Sequence, residues 1–131
     1  LLWKSGNNNI TVDDGKKHIN KLVKKSKLVI QTYESTGVLN TLSQNIPTIL
    51  IWEKHLLDGL NTTAQKYFKI LIDNNILFTD YEIASKFINK VWYNIDSWWL
   101  DEKTQEAIRK FCNQYSKSCD DPISKLKSLL N

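Results

Sequence analysis

Methionine is absent from this chain, and cysteine, histidine, proline and glycine are scarce. Each shortage removes a class of protein. Cys112 and Cys119 have no companions, so no cysteine metal set or disulfide framework can assemble. Their place in a helical tail fits two reduced thiols in the cytoplasm better than a disulfide. His18 and His55 stand alone and no Asp-x-Asp occurs, so no metal is expected, and no cofactor either. The few glycines form neither a P-loop nor a dinucleotide fingerprint. Glu34-Ser35-Thr36-Gly37 lacks the Gly-x-Ser-x-Gly elbow of serine hydrolases. No apolar run is long enough to span a bilayer. The missing methionine, with the start Leu1-Leu2-Trp3, leads us to expect a piece cut from a longer protein.

What is present describes a folded domain. A chain of 131 residues with 41% hydrophobic and 24% charged side chains can bury a core and has no reason to stay disordered. Its net charge of +4 is mild and selects no partner. Lys16, Lys17, Lys21, Lys24 and Lys25 cluster without interleaved aromatics or an RNA-binding signature, so they read as a solvated helix face and nucleic acid is not expected.

One stretch organises the rest. Leu28–Ile30 is an unbroken apolar run, as in a strand covered on both faces. Ser35-Thr36-Gly37 opens a helix carrying Val38, Leu39 and Leu42, and Asn45 can end it in the left-handed conformation. Pro47 through Trp52 then makes a second strand, with Pro47 at its first position. Two strands joined by a helix are expected to be parallel, which puts the small-residue turn at a carboxyl edge of the sheet. Ligands of open α/β sheets bind at such edges, and free amides at a helix start suit a phosphate.

Around this stretch strands and helices alternate. Ile10–Val12 reads as a strand, followed by a helix capped by Asp13 or Asp14 with Ile19, Leu22 and Val23 on one stripe. Thr62 or Thr63 is expected to cap a helix whose Ala64, Tyr67, Phe68, Leu71 and Ile72 share a face. After the strand Ile76–Phe78, Asp80 caps a helix with Ile83, Ala84, Phe87, Ile88, Val91 and Trp92 inward. A helical tail follows, with Asp121-Pro122 starting the last helix and its Ile123, Leu126, Leu129 and Leu130 stripe. The expected fold is α/β: a Rossmann-like, three-layer domain with a parallel sheet of about four strands. Leu28–Gln31 would be its central strand, with residues 1–9 a linker, 10–93 the core and 94–131 extra C-terminal helices. Trp92, Trp98 and Trp99 are expected to serve packing.

Thr32-Tyr33-Glu34-Ser35-Thr36, Leu39-Asn40-Thr41-Leu42, Asn45-Ile46-Pro47-Thr48-Ile49 and Ile95-Asp96-Ser97-Trp98-Trp99 together resemble the C-terminal part of bacterial surface-carbohydrate transferases related to GT-B glycosyltransferases. The resemblance covers about Val12 to Trp99. It implies a donor-binding half that takes a nucleotide sugar, with Ser35, Thr36, Gly37 and Val38 at the diphosphate. The family's ribose-holding Glu, seven positions before the Pro, is here Asn40, a weaker acceptor. Glu34, Glu53 and His55 are further candidate donor contacts. The resemblance also implies that the acceptor site and catalytic base belong to a missing N-terminal domain, and that the full-length protein is cytoplasmic with peripheral membrane association.

A different class of function uses the same fold: a non-catalytic, partner-binding module of flavodoxin-like shape, with Glu34 and the tryptophans as its interface. A response-regulator receiver is excluded, because Asp13-Asp14 imitates its acidic pair but the following strand ends in Gln31-Thr32 rather than Asp.

Overall fold

The structure is a computed structural model that describes residues 9–117, 119 and 121–130. The expected N-terminal linker lies outside the described residues apart from Asn9.

Strands β1 (Val29–Gln31), β2 (Thr48–Ile51) and β3 (Leu77–Phe78) form a parallel sheet in the order β1-β2-β3. Val29 pairs with Thr48 and Leu50 with Leu77. The parallel pairing around the organising stretch is therefore as the sequence implies, but β2 is central rather than β1. Ile49 and Leu50 are fully buried, each contributing about 1.5–3 kcal/mol by leaving water. Among the described residues there are three strands, not four. Ile10–Val12 runs outside the sheet, with Val12 exposed.

Helix α2 (Thr36–Ser43) connects β1 to β2, and α3 (Lys54–Asp58) with α4 (Thr62–Asp73) connects β2 to β3. Asn45 and Asn75 end α2 and α4 with φ of 54° and 56°, a conformation that asparagine tolerates better than most residues. The cap of α4 is Asn61, whose Oδ1 accepts from the Ala64 amide at 2.8 Å, one residue before the threonines expected there. Likewise α1 (Ile19–Val23) is capped by His18, while Asp13 and Asp14 hold local turns through the Gly15 and Lys16 amides. Asp80 caps α5 (Tyr81–Val91) as expected, accepting from the Glu82 and Ile83 amides.

The inward face of α5 is narrower than its pattern suggests: Ala84 and Val91 are buried, whereas Ile83 and Trp92 are exposed, with the Lys27 ammonium over the Trp92 ring. Helices α6 (Ile95–Trp99) and α7 (Glu102–Tyr115) complete the core, α7 packing on α2 and α4. Phe111 and Trp99 are each 1% exposed. Helix α8 (Pro122–Leu130) starts on Asp121, which accepts from the Ser124 amide, but its apolar stripe is exposed along its length.

Candidate functional site

The carboxyl end of β1 runs through Thr32 to Glu34 into the start of α2. Ser35 is the N-cap residue, extended at φ −151°, and its side chain makes no capping hydrogen bond. Its carbonyl accepts from Val38 at 3.2 Å, while the Thr36 and Gly37 amides find no acceptor among the described residues. An N-terminus left this open carries partial positive charge and free donors, which favour an anion.

Gly37 lies inside the helix and its φ is not positive, so its value is spatial. A Cβ there would come within 3.1 Å of Gln31 Oε1 and 3.2 Å of Ser35 Oγ. Gln31 in turn donates through Nε2 to Thr41 Oγ1 at 3.0 Å, and Thr41 donates to the Val38 carbonyl, so the strand end and the first helical turn are cross-tied.

Two cavities flank the N-terminus. One, of about 280 Å³, is walled by Gln31, Ser35, Gly37, Asn40 and Thr41, with Ile19 and Val23 of α1 opposite. The other, of about 330 Å³, runs from Glu34, Ser35 and Thr36 to Trp52, Phe68 and Tyr115. The sequence-predicted residues thus divide. Ser35 serves both cavities, Gly37 and Asn40 the first, Glu34, Thr36 and Val38 the second. Glu53 and His55 follow Trp52 instead and pair with each other, exposed, at 3.1 Å.

The Asn40 carboxamide is already engaged: Nδ2 donates to Asn20 Oδ1 at 3.1 Å, and Oδ1 accepts from Gln44 at 2.7 Å. A carbonyl oxygen accepts two bonds, so one lone pair of Asn40 stays open to a hydroxyl. Sequence reasoning did not assign Trp52, Phe68 and Tyr115 to a site. Phe68 lies on a periodic core stripe, and Trp52 reads as the end of a strand. Among the described residues no cluster of His, Cys, Asp and Glu comes together that would hold a metal, and no helix is long and apolar enough to cross a membrane.

An α/β domain with an open helix N-terminus at the carboxyl edge of a parallel sheet is the arrangement of many enzymes that handle phosphorylated ligands. The chain belongs to the LIC12162 family of transferases, whose family model matches residues 2–130. No curated protein and no solved structure matches it.

Proposed function

We propose that this transferase is a glycosyltransferase of GT-B type, and that this chain is its nucleotide-sugar-binding half, acting in surface polysaccharide biosynthesis. The observation that carries the reading is the open start of α2, with the Thr36 and Gly37 amides unpartnered at the carboxyl end of β1. Ser35, Thr36, Gly37 and Val38 would receive the donor diphosphate, and Asn40 would take a ribose hydroxyl on its remaining lone pair. Glu34 stands at the rim of the same opening. Charge develops on the leaving diphosphate during transfer, and preorganised amides stabilise such charge. A second domain of the full-length protein would supply the acceptor site and the catalytic base. In this reading the protein works in the cytoplasm, at the inner face of the membrane.

The test is an NMR titration with UDP, CMP and inorganic phosphate, following the Thr36 to Leu39 amides. Shifts centred there and lost in Gly37→Val are expected, because the branched side chain would crowd Gln31 and Ser35. The helix end alone contributes only about 0.3–1 kcal/mol at an exposed site, so millimolar ligand is appropriate. A flat response to all three ligands in the folded chain would overturn the reading in favour of an interaction module.

A further inference from the structure

Helix α8 carries a core-like stripe with no core against it. Ile123, Leu126, Leu129 and Leu130 are between 60% and 77% exposed, and every residue from Asp121 to Leu130 is exposed. Projected down the helix axis, these four side chains and Pro122 fill an arc of about 120°. Lys125 and Lys127 lie just outside its two borders, one on each side, and Ser124 and Ser128 occupy the opposite face. No Asp or Glu falls between Pro122 and Leu130; Asp121 precedes the helix and accepts from the Ser124 amide. A helix of 9 residues is marginal in water unless it packs against something. The stripe therefore needs a surface to lie on, and the lysines at its borders ask for a negative one.

We propose that α8 lies in the surface of an anionic phospholipid bilayer, its axis in the membrane plane and its stripe against the acyl chains. The lysine stems would cover the borders of the stripe while their ammonium groups reach the lipid phosphates. A second copy of the chain fits less well. Two stripes meeting face to face would set four lysines around one seam, with no carboxylate within either helix to pair them. Protein partners are usually anchored by Trp, Tyr or Arg, and α8 offers none. The inference gives the membrane location proposed above a physical contact. It is independent of the anion site, because no residue of α8 lines either cavity beside α2.

The experiment sediments the whole chain with sucrose-loaded vesicles at millimolar lipid, since so short a stripe holds a bilayer weakly and reversibly. Vesicles containing phosphatidylglycerol should bind about ten- to thirtyfold more tightly than phosphatidylcholine alone, the effect of two lysines at an anionic surface. Lys125→Gln with Lys127→Gln should remove that preference. Leu126→Ser with Leu129→Ser should remove binding to both kinds of vesicle. Neither change should move the urea midpoint, because α8 is exposed along its length. Lys24→Gln with Lys25→Gln, the same loss of charge at the end of α1, should change binding little. Absent binding to anionic vesicles, unchanged binding by the serine variant, or an equal loss in the Lys24 and Lys25 control would each overturn the proposal. So would a concentration-dependent dimer that the serine changes dissolve, which would assign the stripe to a second copy. The phosphate titration of the Thr36 and Gly37 amides succeeds or fails separately from all of these.

Discussion

The two ends of the sheet each carry an aromatic cluster built on tryptophan, and the clusters differ in one respect. At the amino edge Trp98 donates to the Asn74 carbonyl at 3.2 Å and Trp99 to the Asn45 carbonyl at 3.1 Å. At the carboxyl edge Trp52 is buried among equally close rings, and its N–H goes unmet. Packing geometry therefore does not tell the two clusters apart. The disposition of the polar atom separates them, because an unpaired buried donor costs stability that a folded chain has no structural reason to forgo.

The comparison is most easily broken at the amino edge. Trp99→Ala should lose about 3–5 kcal/mol in urea unfolding, since the site is closed on all sides; a loss under about 1 kcal/mol would show that the cluster can collapse around the gap. A sharper version compares two conservative changes. Trp99→Phe orphans the Asn45 carbonyl, whereas Trp52→Phe removes a donor that had no partner, so the first should cost about 1–3 kcal/mol more than the second. Equal losses would mean that the Trp52 N–H is satisfied in solution. The smallest effect lies away from both edges. The Lys110 hydrogen bond and charge hold the Glu106 carboxyl below its ordinary value, on the exposed face of α7. A lowered folded value means stability present above the ordinary glutamate pKa and lost as pH falls through the lowered one. Glu106→Gln should flatten the fall in melting temperature between about pH 5 and pH 3, and an unchanged slope would show that the pair contributes nothing.

Much of the fold was legible because its signals are local. The Asn45 terminus, the Asp80 cap and the parallel pairing of β1 with β2 follow from residues within one turn or one crossover of each other. Ile10–Val12 misled because two β-branched apolar residues around a threonine say nothing about whether a partner edge is at hand. Ile83 and Trp92 continue a helical stripe that the neighbouring elements are too narrow to cover. The α8 stripe is patterned like a core face and stays uncovered. Of the candidate site, the small residues at the start of α2 could be read directly. The aromatic wall of the second cavity could not, since Trp52, Phe68 and Phe111 come from three separate stretches and each looks like ordinary core.

The bonds from Trp98 and Trp99 also bear on the order in which the chain is made. They reach back 24 and 54 residues, to the joints where α4 turns into β3 and α2 into β2. A nascent chain leaving the ribosome holds all three strands before α6 has appeared, and throughout that interval the joints at Asn45 and Asn74 lack their tethers. The sheet can pair early, but its amino edge is fastened only when the tail arrives. Synthesis halted before Ile95 would therefore release an α/β core with one end unpinned, a natural target for proteolysis.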